Sequence, residues 1–409
     1  MNVDVISDRI IAFFCSLRLT VVCLALGLVL VFLGTMAQEP LGLYLSQAEF
    51  FRSFFVPAPA VVAAVKKALQ MVYIYLPPST AAEVMTGSRI PLLPGGYLIG
   101  GLLVINLVAS ACKRLKFTRA KTGIWMVHFG LILLLVGQLM TDLLARESSL
   151  HLREGETKNY SENDREVELV LVDTTDKDSD RVVAVAEDRL RTASSLQLPE
   201  IPFTIKVNRW LRNCRIVNRP PNTTEPAPAT HGVGPDASLT ELPRVTEMGK
   251  RDIPAAVVEI LTPQGSLGTW LISEFVGKPQ AFTLNNRKYE IALRPRRHYK
   301  PFSLQLLEFK HDIYPGTDIP KNFSSRVLLE QPQSGEKREV LIYMNKPLRY
   351  AGETFYQASY DQDNRGTILQ VVRNPSWLTP YFSCVLVGAG LMVHFMMHLL
   401  GFSFKRRTA

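Results

Sequence analysis

The sequence predicts an integral membrane protein with four transmembrane α-helices, three N-terminal and one C-terminal, and a large extracytoplasmic all-β domain built as a sandwich or open barrel. Three observations predict it. Four stretches carry the roughly 20 mostly apolar residues that a bilayer requires. Between the third and fourth of them the pattern changes to short alternating runs bounded by Gly, Pro and Asn. Basic residues cluster in the link between spans two and three and again after span four, which fixes a common side for both.

The first span, Ile11–Met36, follows an N-terminus containing Asp4 and Asp8 and ends in Met36-Ala-Gln-Glu39. Acidic flanks and a poor small-residue cleavage site exclude a removable signal, so residues 1–36 form a cytoplasmic N-terminus and a retained anchor. Residues 37–94 form an external loop. Its apolar run Val56–Pro78 is interrupted by Lys66-Lys67, and a charge at mid-bilayer costs about 2.5–3.5 kcal/mol on insertion scales. An interfacial helix is the expectation there. Span two is Gly95–Cys112, and the link 113–122 contains Lys113-Arg-Leu-Lys-Phe-Thr-Arg-Ala-Lys121, five bases without an acid. Span three is Gly123–Leu144, within a segment 123–145. Span four, Leu378–Phe402, precedes the tail 403–409 with Lys405-Arg-Arg407. Both basic clusters belong in the cytoplasm and explain much of the formal net charge of +9. No nucleic-acid motif accompanies that charge.

The external domain, 146–377, offers alternating runs such as Glu166–Val172, Phe203–Val207, Ala255–Leu261, Lys288–Leu293, Ser303–Phe309, Arg338–Tyr343 and Thr367–Val372. These read as antiparallel strands. A proline-rich insertion, 218–243, reads as a mobile linker dividing the domain into two lobes. Cys214 is the one cysteine of this domain, so an intradomain disulfide is excluded, and it reads as a small buried residue. The chain also lacks Cys-x-x-Cys and Cys-x-x-Cys-His, which excludes a thioredoxin-like oxidoreductase and a cytochrome with covalently attached haem. His151, His231, His298 and His311 are scattered without catalytic or zinc-site spacing. The basic run Arg294–Lys300 reads as a solvated loop, with acidic headgroups, haem propionates or a partner as its functional alternatives.

One residue stands out. His128 is a lone histidine in the otherwise apolar stretch Gly123–Gly137 of the third span, where ionisable residues are costly and usually functional. Neutral imidazole is also the commonest protein metal ligand, so membrane haem chemistry is the first functional expectation. Gly123, Gly130 and Gly137 recur every seven residues in the same helix, a smooth stripe for another helix or for a porphyrin.

Five segments together resemble the ResB/CcsB family of System II cytochrome c maturation. They are Ser16-Leu-Arg-Leu-Thr20 with Leu33-Gly-Thr-Met-Ala-Gln38; Lys121–Gly137; Leu152-Arg-Glu-Gly-Glu-Thr157; Tyr314-Pro-Gly-Thr317; and Asn345–Tyr360, which runs through Asp361 into the last strand and span. The resemblance implies a subunit of a membrane cytochrome c synthase, non-catalytic alone. It implies that haem b is taken across the bacterial inner membrane and attached covalently to apocytochrome c on the periplasmic side. The implied partners are a CcsA-type tryptophan-rich membrane subunit, the apocytochrome and thiol-reducing proteins. His128 alone occupies the family's third-span position for an axial haem ligand. This chain's tryptophans, Trp125, Trp210, Trp270 and Trp377, are widely separated and form no tryptophan-rich platform.

His394 and His398 lie four apart in the last span and offer an alternative second ligand. With either of them, His128 would make an intrachain bis-histidine haem and the chain a membrane cytochrome b-type electron-transfer subunit. The family pattern instead takes the second ligand from the partner. A membrane-anchored sensor leaves the intramembrane histidine unexplained. Strand alternation in Thr354–Tyr360 sends Tyr356 and Tyr360 to one face and Phe355 with Gln357 to the other, so Tyr356 and Tyr360 are the candidate partner contacts.

Overall fold

The computed structural model describes residues 3–75, 90–114, 118–220, 223–245, 250–316 and 320–408. Several sequence readings extend beyond these: Leu115-Lys-Phe117 of the basic link, the end of the run Val56–Pro78, Pro221-Asn222 of the insertion and Thr317 lie outside the described residues. In chain order the helices are α1 (Val3–Phe14), α2 (Leu17–Met36), α3 (Gln38–Ser46), α4 (Ala58–Met71), α5 (Gly96–Arg114), α6 (Thr122–Leu144), α7 (Glu187–Thr192) and α8 (Thr379–Thr408). Among them α2, α5, α6 and the first 24 residues of α8 are long and apolar enough to cross a membrane. The contacts divide the chain into two units, one holding the apolar helices and one holding residues from Arg146 to Arg373.

In the helical unit the first span begins later than the apolar run does. Ser16 adopts an extended conformation and its hydroxyl caps α2 by accepting from the Arg18 N–H at 3.2 Å, so the run from Ile11 is broken into α1 and α2. A helix start leaves orphan backbone groups that must be satisfied. Asn106, buried in the middle of α5, meets the break: its amide donates to the carbonyls of Phe14 at 2.7 Å and Ser16 at 3.1 Å, and its carbonyl accepts from Thr20 at 2.6 Å. Helix α4 is 14 residues long, about 21 Å at 1.5 Å per residue and too short to span. It buries Ala60, Val61 and Ala64 in one cluster with Leu30 and Leu33 of α2 and Ile99 of α5, while Lys67 pairs with Glu39. Strands β1 (Phe55–Pro57) and β2 (Pro91–Pro94) pair antiparallel beside it.

The β unit opens with β3 (Arg146–Arg153), β4 (Thr157–Asp173) and β5 (Arg181–Ala186). Then come β6 (Ser195–Gln197), β7 (Thr204–Leu211), β8 (Cys214–Asn218), β9 (Ala237–Glu241), β10 (Ala255–Thr262) and β11 (Gly265–Ser273). Strands β12 (Gln280–Leu284), β13 (Arg287–Ile313), β14 (Pro320–Gln331), β15 (Glu336–Tyr343), β16 (Leu348–Tyr350), β17 (Glu353–Tyr360) and β18 (Gly366–Arg373) complete it. The main antiparallel sheet runs β15-β14-β13-β4-β3-β18-β17-β16, with β5 and β12 as side branches. It curls into a nearly closed barrel: the Tyr350 hydroxyl on β16 donates to Glu336 on β15 at 2.7 Å, and Ser325 on β14 donates to Gln357 on β17 at 2.6 Å. Leu150, Leu152, Phe302, Leu304, Phe355, Leu369 and Val371 fill one core. A second core lies under the small sheet β11-β10-β7-β6, where Ile205, Val258 and Ile272 meet Leu169 and Ile291 of the main sheet. The long strand β13 serves both cores, so the unit is not cut into lobes by the insertion.

The proline-rich segment 218–243 differs from its sequence reading. It forms an arm between β8 and β9, which pair from Cys214↔Glu241 to Asn218↔Ala237. Its tip folds back on β11: the N–H groups of Thr230 and His231 both donate to the Thr269 carbonyl, at 3.1 and 2.9 Å, and the His231 ring stacks on Trp270 with centroids 5.0 Å apart. The arm thus occupies the free edge of the small sheet, the kind of edge that proteins cover to prevent stray strand pairing.

Candidate functional site in the apolar helices

Helix α6 presents two chemically distinct faces. Gly123, Gly130 and Gly137 fall nearly on one line because seven residues make almost two full turns, and all three are buried. What they face is α8. A Cβ on Gly123 would lie 2.6 Å from the backbone of Gly390 and of His394, and one on Gly130 would lie 2.6 Å from Val387. Gly390 returns the contact, since a Cβ there would meet Met126 at 2.8 Å. The stripe therefore permits backbone-to-backbone approach of two helices, and the helix-partner reading of the stripe is the one the structure takes.

His128 lies five residues after Gly123, about 140° around the axis at 100° per residue, so it faces away from α8. Its Nδ1 is 2.9 Å from the carbonyl oxygen of Ile124 on the preceding turn. A carbonyl only accepts, so Nδ1 carries the proton and Nε2 keeps a bare lone pair. His394 is on the other side: its backbone abuts Gly123, its ring packs edge-on against His398 with centroids 4.5 Å apart, and its Nδ1 is buried with no hydrogen-bond partner among the described residues. His398 is exposed. The glycine contacts thus put His128 and the His394–His398 pair on different sides of α6, and the structure does not bring them to one common ligand position.

Near the far end of α6 a second polar group appears that sequence reasoning passed over. Asp142 accepts from the Tyr97 hydroxyl on α5 and pairs with Arg52 Nε at 2.5 Å. Asp142 is an acid within a predicted span and Asn106 an amide within another, and that signal was available in the sequence for both.

The candidate partner contacts separate in the β unit. Pairing of β17 with β18 shifts between Gln357 and Ser359, a β-bulge at Ala358. One extra residue reverses the alternation. Tyr356 keeps to the outer face, level with Gln370, whereas Tyr360 joins the core face, in line with Thr367. There it stacks on Phe309 at 5.9 Å and meets His311 at 4.4 Å and Phe323 at 5.1 Å. Tyr356 and Tyr360 therefore do not share a face, because the bulge lies between them.

The basic run Arg294–Lys300 is likewise not a loop. It belongs to β13, and its members pair with neighbouring carboxylates: Arg294 with Glu168 at 2.9 Å, Arg296 with Glu166 at 2.8 Å, Arg297 with Glu162 at 3.0 Å and Lys300 with Glu353 at 2.7 Å. Charge cancellation across β4 and β17 is what lets so cationic a strand lie within a sheet. Two histidines of this unit also have local partners, with His151 Nε2 at 2.9 Å from both oxygens of Asp361 and His311 Nδ1 at 3.1 Å from Asn364.

The sequence is similar to that of known proteins in two respects. The ResB-like family matches residues 262–368, which run from the end of β10 into β18 and include the bulged β17. Protein NrfI of Wolinella succinogenes is 25% identical over 295 residues, covering 71% of this chain and 29% of that protein. This chain accordingly spans less than a third of the length of the curated relative it matches. With three apolar helices before a barrel-like β unit and one after it, the chain is similar to ResB-like proteins over the residues matched.

Proposed function

We propose that the chain acts in cytochrome c maturation as the haem-handling subunit of a System II cytochrome c synthase. In this reading it passes haem from the cytoplasmic to the periplasmic side of the bacterial inner membrane and supports attachment to apocytochrome c. The observation that carries the reading is the His128–Ile124 hydrogen bond. It fixes the tautomer that leaves Nε2 free, the same second-shell arrangement that orients metal-ligating histidines generally. The donor suits the group, because imidazole is a common axial ligand of haem iron. His128 lies six residues into α6, about 9 Å from the basic end at 1.5 Å per residue, a depth suited to receiving haem made inside.

If bound, haem b would supply iron that the free Nε2 of His128 would hold. This chain's own contribution is positional. Ile124 holds the ring proton on Nδ1, α8 fills the glycine face, and the remaining face of α6 is left for a second ligand from elsewhere. A CcsA-type tryptophan-rich subunit is the proposed source of that ligand and of the external haem platform. Thiol-reducing proteins are proposed to keep the apocytochrome cysteines reduced. The intrachain bis-histidine alternative loses support from the opposed placement of His128 and His394. The test is co-expression with such a partner in a strain lacking its own maturation system, reading covalent haem on a reporter cytochrome. Attached haem is the expected result; its absence despite stable expression of both proteins overturns the reading.

A further inference from the structure

The interior of the barrel changes character toward the end from which the chain joins its flanking helices. Along β3 the buried row Leu152, Leu150, Ser148 ends in the exposed Arg146; along β18 the buried row Leu369, Val371 ends in the exposed Arg373. These rows are in register, with Leu150↔Leu369, Ser148↔Val371 and Arg146↔Arg373 as cross-strand neighbours. Two arginines directly opposed on one face repel each other, and among the described residues neither has an ion-pair partner.

The surroundings deepen the imbalance. Ser148 donates to Ser161, and both are buried. The side chain of Lys300 is only 4% exposed and points its ammonium at Glu353, 2.7 Å away, with the Phe355 ring 5.7 Å off. His298, paired in register with Ser161, has its acidity shifted so that the neutral ring is favoured, first by burial and then by the charges of Arg296, Arg146 and Lys300. Glu353 is committed to Lys300 and Glu166 to Arg296, so among the described residues no carboxylate forms an ion pair with Arg146 or Arg373. Arg146 also stands only two residues beyond the end of α6, a tether of about 7 Å at most.

We infer that the exposed strand ends formed by Arg146 and Arg373, backed by the buried Lys300–Glu353 pair, are a site for the anionic oxygens, carboxylate or phosphate, of a membrane-resident amphiphile. Two forked guanidinium groups side by side suit such oxygens because each can donate two parallel hydrogen bonds. The site is independent of iron ligation and of His128.

The test is amide hydrogen exchange of the full-length protein in nanodiscs, read at residues 146–149 and 370–373. One arm replaces zwitterionic phosphatidylcholine by phosphatidylglycerol. A second adds metal-free protoporphyrin IX, and a third adds its dimethyl ester. Exchange should slow about tenfold when the ligand is present at about ten times its Kd, in the phosphate arm, the dicarboxylate arm or both, and not with the ester. The variant Arg146→Gln/Arg373→Gln should lose the effect, while Arg146→Lys/Arg373→Lys, which keeps the charge and the fold, should retain part of it. Unchanged exchange in both anionic arms, equal slowing by the ester, or slowing that survives in a folded glutamine variant would overturn the inference. Because metal-free porphyrin has no iron for His128 to hold, this outcome is separate from the success or failure of the haem-ligand reading.

Discussion

The Nδ1 atom of His128 lies 2.9 Å from the carbonyl oxygen of Ile124, and that contact decides which ring nitrogen is free. A residue four positions earlier on the same helix thereby sets the chemistry of an intramembrane histidine. The His128→Gln variant keeps a hydrogen-bonding side chain but lacks a basic ring nitrogen, so it should match His128→Ala in haem retention. Equal haem content of wild type and His128→Gln would show that the ring's hydrogen bonding, not its lone pair, is what matters.

Helix pairing through the glycine stripe makes a separate prediction. A methyl at Gly123 or Gly130 must displace the backbone or Val387 of α8, and overpacking of this kind costs about 1–3 kcal/mol. Gly123→Ala and Gly130→Ala should each lower the thermal midpoint of the helical unit in detergent, and a bulkier Gly130→Leu should lower it further. An unshifted midpoint for Gly130→Leu would mean that α6 and α8 do not pack in this register.

The bulge at Ala358 separates the two tyrosines energetically. Tyr360→Ala removes a ring from the aromatic group with Phe309, His311 and Phe323, and truncating a large core side chain costs about 3 kcal/mol. Tyr356→Ala on the outer face should change stability by no more than about 0.5 kcal/mol while reducing recovery of the complex with the partner. Denaturant unfolding of the full chain followed by near-ultraviolet circular dichroism distinguishes them; equal destabilisation by both substitutions would contradict the assigned faces.

Much of this architecture was legible in the sequence, for identifiable reasons. Spans follow from composition over some 20 residues, so a single polar residue such as Asn106 or Asp142 does not hide them. The strands from Glu166 to Val372 announced themselves by alternation. What alternation cannot show is a one-residue bulge, because Ala358 is unremarkable in composition and only pairing with Ile368 and Leu369 reveals the slip. Similarly, Pro295 and four bases made Arg294–Lys300 look like a loop, since the carboxylates that neutralise it come from β4 and β17, far away in sequence. The prolines of 218–243 mark irregular backbone correctly but say nothing of the edge of β11 onto which it folds.

The buried pair Lys300–Glu353 should behave as a unit. Lys300→Met leaves Glu353 half-desolvated and unpaired, and breaking one side of a buried ion pair costs about 3–5 kcal/mol. The double variant Lys300→Met/Glu353→Leu should recover most of that loss. Additive losses in a double-mutant cycle of urea unfolding would show that the two side chains do not interact.

Cys214 supplies a pH prediction. Burial pushes its thiol up to about 11 from the ordinary value of 9.0. A raised folded value favours the neutral form, so its contribution to stability is complete below the ordinary thiol range and fades as pH climbs toward 11. In a variant retaining only Cys214, maleimide labelling at pH 8 should be about 100-fold slower than for a free thiol, since the thiolate is the nucleophile. The rate should then rise about tenfold per pH unit. Rapid labelling at pH 8 would place the thiol outside the core.

The most direct measurement of the central claim is the haem content and absorption spectrum of the complex purified with its tryptophan-rich partner, for wild type and for His128→Ala, with and without added imidazole. The account predicts haem in the wild type, loss of haem and of maturation activity in the variant, and partial recovery when imidazole occupies the vacated position. Normal haem content and an unchanged spectrum in His128→Ala would contradict it and leave His128 a packing residue.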